Sequence, residues 1–240
     1  MKLTDFTVLT FDCYGTLIDW EAGIARALGP LSVKASPPIA REQALAAFAQ
    51  HESAQQQQTP AMLYSQLLSV VYQRLASHWN VPVSQQQCES FAASIADWPP
   101  FPDTVEALLY LKRHYKLVIL SNVDRTSFQA TNARLEVAFD AIYTAQDIGS
   151  YKPSPRNFDY LLRRLHDDFG IHTKQVLHVA QSLFHDHAPA QQAGLASAWI
   201  DRRHARDGWG ATVPPAGPVK YDFRFESLAA LVSAHRQELR

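Results

Sequence analysis

The stretch Thr7-Val8-Leu9-Thr10-Phe11-Asp12-Cys13-Tyr14-Gly15-Thr16 decides how this chain is read. A β-branched, apolar run stops abruptly at an aspartate, and a Gly-Thr turn follows. A short apolar run bounded by turn residues reads as a buried strand. A carboxylate placed just beyond it lies outside the carboxyl end of that strand, where open α/β sheets bind their ligands. Asp12 is therefore a candidate nucleophile. The residue two places on, Tyr14, bears on which chemistry it can perform.

Outward from that stretch, strand-like runs recur at Lys116–Ser121, Ala141–Thr144, Val176–Ala180 and Ser197–Ile200, with a weaker sixth at Tyr221–Phe223. Helical spacing separates them, as in Val105, Leu108, Leu109 and Leu111, and again in Phe158, Leu161, Leu162 and Leu165. Strands alternating with helices imply right-handed βαβ units, hence an α/β fold: a Rossmann-like parallel sheet flanked by helices on both faces. Residues 18–96 break the rhythm. They read as helix throughout, with an apolar stripe of Phe48, Leu63, Tyr64, Leu67, Leu68, Val71, Tyr72 and Leu75. The expected division is a core of residues 1–17 and 97–240 with a helical cap subdomain, 18–96, inserted after the first strand. The stiff stretch Trp98-Pro99-Pro100-Phe101-Pro102 leads back to the core as a hinge would. The glutamine runs at 55–58 and 85–87 read as solvated helix faces or loops, and 214–218 as a surface loop.

With 240 residues the chain can bury a sizeable core. Hydrophobic residues make up 47% and charged residues 19%, which fits an ordinary soluble globular protein. A formal charge of −1 offers no electrostatic argument for nucleic acid or for an acidic membrane surface. Cys13 and Cys88 make no disulfide framework and suit a reducing cytoplasm. No apolar run approaches ~18 residues, so no spanning helix is expected. The first residues lack the basic-then-apolar pattern of a signal peptide.

Four short segments fall at or just after strand ends: Asp12 to Thr16, Ser121-Asn122, Lys152, and Gln181 to Asp186. Singly, each has a structural explanation as a turn residue or helix cap. Together and in order, they point to one edge of one sheet. The set resembles the four motifs of the haloacid dehalogenase superfamily of hydrolases over nearly the whole chain. Asp12-Cys13-Tyr14-Gly15-Thr16-Leu17, with Trp199-Ile200-Asp201-Arg202, is most similar to the type II 2-haloacid dehalogenase branch. The resemblance implies Asp12 as nucleophile, Thr16 as the first-motif threonine, Ser121 as the second motif, Lys152 as the third and Asp186 as the acid of the fourth.

Two positions favour that branch over the superfamily's phosphatases. Those enzymes carry an aspartate where Tyr14 stands, and it protonates the leaving alkoxide. General acid catalysis is typically worth ~10²–10⁴-fold, whereas a departing halide is a weak base that needs no proton. The phosphatases also hold Mg²⁺ with carboxylates, and Gln181 occupies the place of one of them. The expectation is a metal-free site with no cofactor. Asp12 attacks the α-carbon of a small 2-haloacid and expels halide; water then splits the resulting ester to a 2-hydroxyacid. Lys152 is expected to lower the pKa of Asp12, and Asp186 to orient Lys152 or activate the water. Tyr14, Ser121, Asn122 and the amides of the Tyr14–Leu17 loop are candidate substrate contacts. Gln181, Ser182 and His185 are candidates near the water.

Two positions depart from the type II pattern. A small residue near Ala49 replaces the cap arginine that draws out halide, and neither Arg26 nor Arg41 has the spacing to substitute for it. Phe158 stands where a tyrosine is usual. Adjacent on a helix start, His185, Asp186 and His187 point in different directions and do not read as a metal site; Cys13 reads as a buried small residue, and Trp20 as core or cavity lining. The alternatives are a phosphatase with an unusual metal set and a non-catalytic small-molecule binder. The partners expected are the 2-haloacid and water, with no nucleic acid or membrane. The family likeness also allows a homodimer.

Overall fold

The computed structural model describes residues 1–240. Six strands form one sheet: β1 (Val8–Phe11), β2 (Lys116–Ser121), β3 (Ala141–Thr144), β4 (Val176–Ala180), β5 (Ala196–Ile200) and β6 (Phe223–Phe225). Their order is β3-β2-β1-β4-β5-β6, and every neighbouring pair is parallel. All four residues of β1 are buried, as a strand covered on both faces requires. Its register sets Phe11 beside Ile119 of β2 and Val179 of β4. Asp12, Asn122 and Gln181 therefore leave the sheet at one edge. The chain runs outward from β1 through β2 to β3, then crosses to β4 on the other side of β1. That reversal opens the ligand crevice of a doubly wound sheet.

Three strands differ from the expectation at their limits, β5 by a single residue, since it begins at Ala196. β1 begins at Val8, because Leu3–Asp5 forms a 3₁₀ turn, and β6 begins at Phe223. β6 is an edge strand paired only to β5, with Phe223 opposite Ala198, so the partner's reach defines it more than its own composition does.

Between β1 and β2 the chain forms α1 (Trp20–Lys34), α2 (Arg41–Gln58), α3 (Tyr64–His78), α4 (Gln85–Ala93) and a 3₁₀ turn at Ser94–Asp97. The Asp19 carboxylate caps α1 by accepting the Ala22 N–H. Phe48 of α2, Tyr72 of α3 and Phe91 of α4 meet at the centre of this insert, Tyr72 stacking on Phe91 at 4.9 Å. The glutamine reading needs correction here. Gln55 and Gln56 are buried, and only Gln57 and Gln58 of that run reach solvent. One turn of α2 carries its amides inward because that face covers the sheet edge.

The remaining helices, α5 (Thr104–Leu111), α6 (Arg125–Leu135), α7 (Ala145–Ile148), α8 (Pro155–Phe169), α9 (Ala188–Gln192) and α10 (Leu228–Glu238), surround the sheet. The main apolar core runs unbroken from Phe11, Leu117 and Val179 through Leu17, Ile18 and Trp98 to Ile24 and Phe48. The two connectors to the insert pair with each other: the Asp19 N–H donates to Pro99 O and the Phe101 N–H to Leu17 O. The proline stretch is thus one half of a hydrogen-bonded double connection. Gly23 permits it, because a Cβ there would lie 2.3 Å from the Trp98 ring. No helix is long and apolar enough to cross a membrane.

Candidate active site

The turn after β1 aims the first carboxylate. The Leu17 N–H donates to Cys13 O at 2.7 Å and the Gly15 N–H to Ile18 O at 2.8 Å, with Gly15 at φ +93°, a conformation that favours glycine. The Thr16 hydroxyl then donates to Asp12 Oδ2 at 2.7 Å while accepting the Gln181 N–H at 2.9 Å. Thr16 therefore links the ends of β1 and β4 and orients the carboxylate between them. The same turn corrects the expectation for its amides. Those of Gly15, Thr16 and Leu17 are used within the turn, which leaves Cys13 and Tyr14 with the N–H groups that have no backbone acceptor.

Lys152 reaches this carboxylate from the loop before α8. Its buried ammonium donates to Asp12 Oδ1 at 2.9 Å, to Asp186 Oδ1 at 2.6 Å and to Leu120 O at 2.9 Å. Asn122 holds the lysine's backbone from both sides: Oδ1 accepts the Lys152 N–H at 2.7 Å and Nδ2 donates to Lys152 O at 3.0 Å. Its amide is thus committed chiefly to placing Lys152. Ser121 lies at the end of β2, fully buried, with its hydroxyl unpartnered and off the cavity wall.

Asp186 sits in a π-helical turn, Leu183–His187, which the Ser182 hydroxyl caps by accepting the His185 N–H. Its Oδ1 faces Lys152 and also His178 Nε2 at 3.0 Å, and His178 Nδ1 lies 2.8 Å from Thr10 Oγ1. Sequence reasoning missed His178. Its signal was a polar residue inside an apolar strand, which the register sets opposite Thr10, the polar residue of β1.

The two carboxylates share one ammonium unequally. Burial works against the Asp186 charge, but Lys152 and His178 overcome it and hold the carboxyl well below the ordinary range. Burial also opposes the Lys152 charge, yet the two aspartates keep it above its usual value. Asp12 behaves otherwise. Burial raises it, Lys152 offsets this only in part, and the negative Asp186 adds to the rise. Lys152 thus lowers the Asp12 pKa as expected, but burial outweighs it and the second buried acid adds to the rise, so the net direction is upward.

Asp12, Lys152, Asp186, Ser182 and His185 line one small cavity with Tyr14 and Gln181. The Tyr14 hydroxyl turns away to Thr131 Oγ1 at 2.7 Å, and its ring meets Trp98 edge-on. His185 Nδ1 pairs with Ser182 Oγ at 3.1 Å, while its buried Nε2 has no partner; burial pushes the ring down to about 4, so it is neutral. Asp186 Oδ2 is likewise unpartnered. His187 faces elsewhere, toward Ser197 Oγ and Ala180 O, so the three adjacent residues do not converge.

The donor set does not fit Mg²⁺. Asp12 Oδ1 is occupied by an ammonium, Tyr14 offers no carboxylate, and Gln181 presents a neutral amide whose Oε1 lies 3.4 Å from Thr212 Oγ1.

Asn122, Val123 and Thr212 of the core also line the cavity, and the insert adds Trp20, Glu52, Gln56 and Tyr64. Glu52, Gln56 and Tyr64 were not singled out for the site, because nothing local marks which face of α2 covers the sheet edge. Ala49 is buried on the same helix. Arg26 instead donates to Asp97 O, and Arg41 pairs with exposed Glu42. Phe158 packs edge-on to His178, away from the cavity.

The site joins a carboxylate, a buried lysine and a second acid at the switch point of a Rossmann-like sheet. A family model described as haloacid dehalogenase-like hydrolase matches residues 6–194, and the chain belongs to that family of hydrolases. The (S)-2-haloacid dehalogenase of Pseudomonas putida is 24% identical over 131 residues, 53% of this chain and 56% of that protein. The chain thus matches little more than half the length of that relative. An L-2-haloacid dehalogenase crystal structure superposes with a TM-score of 0.77 at 21% identity, covering 98% of this chain and 99% of the other. The Xanthobacter autotrophicus L-2-haloacid dehalogenase with chloropropionic acid covalently bound gives a TM-score of 0.75 at 18% identity, covering 96% and 98%. These structural likenesses show the fold.

Proposed function

We propose that this hydrolase converts a small 2-haloacid to its 2-hydroxyacid through an ester on Asp12, without a metal. The observation that carries the reading is the setting of Asp12. Lys152 and Thr16 hold its two oxygens over a cavity, and the residue two places on, Tyr14, has its hydroxyl engaged by Thr131. A carboxylate so placed can displace a leaving group that needs no proton. The named relatives and neighbours support the same chemistry.

In the first step an Asp12 oxygen forms a C–O bond to the α-carbon and the C–halogen pair departs with the halide. In the second, water adds to the ester carbonyl, the bond from that carbonyl to the hydroxyacid oxygen breaks, that oxygen takes one of the water's protons, and Asp12 returns as a carboxylate. His185 Nε2 and Asp186 Oδ2 are the buried acceptors free to take that water's proton. Lys152 balances the charge that returns to Asp12. The Cys13 and Tyr14 amides are donors for the substrate carboxylate. Residues 18–96 act as the cap that closes over the reaction, and the chain works as a monomer or homodimer with only the acid and water as partners.

Halide release from racemic 2-chloropropionate in the presence of EDTA is the test. Turnover confined to phosphate esters and dependent on Mg²⁺ would overturn the reading. A single turnover in ¹⁸O-labelled water should place the label in the Asp12 peptide before the product carries it.

A further inference from the structure

We propose that Glu52 is the leaving-group residue of this site: its acid O–H at Oε2 hydrogen-bonds the halide that Asp12 displaces, in place of a cation. The inference rests on the reaction proposed above and assigns the side of the cavity that reading leaves open.

Displacement at carbon sends the leaving group away from the nucleophile. Asp12 rises from the sheet edge, so the departing halide meets the wall that the insert supplies, where Glu52 and Gln56 lie one turn apart on α2. No arginine lines that cavity, and its lone lysine, Lys152, is already held by three oxygens. Glu52 is 2% exposed. The Tyr64 hydroxyl donates to its Oε1 at 2.6 Å, and Oε2 has no partner in the chain. No cation pairs with this buried carboxyl, so the neutral form is favoured, and a proton on Oε2 is free to donate into the cavity. Burial pushes the Glu52 carboxyl up to about 7, with the Tyr64 bond opposing the rise. Tyr64 and Tyr151 are the titratable groups that feel its charge, and Tyr14 in turn acts on Tyr64. Across the cavity stand Asp12, Lys152, His185 and Asp186.

An ionised Glu52 would repel a halide, whereas the neutral acid binds it through a charge-assisted hydrogen bond. The step balances without proton transfer: Asp12 supplies the pair for the new C–O bond, the halide keeps the C–halogen pair, and the proton stays on Glu52. Fluoride, the smallest and most basic halide, depends most on such a donor.

The experiment titrates fluoride into the resting full-length protein at pH 6 and pH 8, read by fluorescence of Trp20 in the cavity wall, for the wild type, E52Q and E52A. A donor titrating near 7 makes wild-type affinity about tenfold tighter at pH 6 than at pH 8. E52Q keeps an N–H donor, so it binds with little pH dependence, and E52A loses binding. An infrared difference spectrum between wild type and E52Q should also show a protonated carboxyl at pH 6 that is largely gone at pH 8. The same pH dependence in either variant, or no protonated carboxyl, overturns the assignment. If fluoride binds as expected but no 2-haloacid releases halide, the proposed reaction is wrong and the Glu52 anion site stands. If halide is released with the same rates and halogen order in all three proteins, Glu52 is not the leaving-group residue and the reaction stands.

Discussion

Lys152 Nζ stands 2.9 Å from Asp12 Oδ1, at the end of a lysine side chain only 1% exposed. The pair is the electrostatic centre of the site, yet the lysine is not exclusive to it, since Asp186 lies closer at 2.6 Å. Removing one member of a buried pair leaves its partner's charge uncompensated, which typically costs ~3–5 kcal/mol. Here removal would leave two carboxylates facing each other.

Lys152→Met should therefore push Asp12 further up and abolish ester formation at neutral pH, by about 10³-fold or more in single-turnover rate. Denaturant unfolding should show a loss of a few kcal/mol in the same variant. Unchanged ester formation would remove Lys152 from the chemistry.

The raised Asp12 pKa sets the acid limb of the rate profile. Asp12 must be ionised to attack, and its folded pKa lies above the ordinary 3.8. Single-turnover rates should fall as pH drops through a midpoint above that value. A midpoint below 3.8 would mean that Lys152 outweighs burial and Asp186.

His178→Ala removes one of the two partners of Asp186 Oδ1 and leaves the Thr10 hydroxyl unpaired inside the sheet. The expected cost is about 1–3 kcal/mol in unfolding free energy. Asp186 has a depressed folded pKa, so its stabilising effect is present above the unfolded carboxylate range and is lost as pH falls. Losing His178 weakens that depression. The stability difference between wild type and variant should accordingly persist through the ordinary carboxylate range and shrink only as pH falls through the depressed Asp186 value.

Gly23→Ala tests the connection between insert and core. The added methyl would sit 2.3 Å from the Trp98 ring, a buried side chain that also contacts Tyr14. Overpacking of this kind costs about 1–3 kcal/mol. The variant should unfold at lower denaturant, and its cavity should be altered through Tyr14.

Glu52 gives a pH-dependent stability with the opposite sign to Asp186. Its folded pKa of about 7 exceeds the 4.5 of an ordinary glutamate. Below 4.5 the group is neutral in both states and costs nothing. Between 4.5 and 7 the unfolded chain releases the proton first, so stability declines, by about 3 kcal/mol once pH exceeds the folded value. Glu52→Gln should be most favourable relative to wild type at pH 8 and least at pH 4. Thermal unfolding of both proteins at those pH values measures it.

Much of the architecture was legible because it rests on local patterns. The apolar run before Asp12, the alternation of strand and helical spacing after residue 103, and the unbroken helical stretch from 18 to 96 each reflect periodicities that short segments carry by themselves. Asp12, Thr16, Lys152 and Asp186 could be placed at strand ends for the same reason. What could not be read was which oxygen meets which donor. Asn122 lines the cavity as its position suggested, but its bonds to the backbone of Lys152 were not legible. Gln56 looked solvated and lines the cavity.

The sequence by itself determined the order of the strands along the chain, the helical insert, and a carboxylate, a lysine and a second acid in the segments that follow β1, β3 and β4. Those follow from hydrophobic period and turn chemistry, which act over a few residues. Only the tertiary structure decided that Asp186 and Asp12 compete for Lys152, that His178 secures Asp186, and that Glu52 lines the same cavity as Asp12. Those depend on burial and on distances between segments far apart in the chain, and charge in a buried site follows the sum of its neighbours.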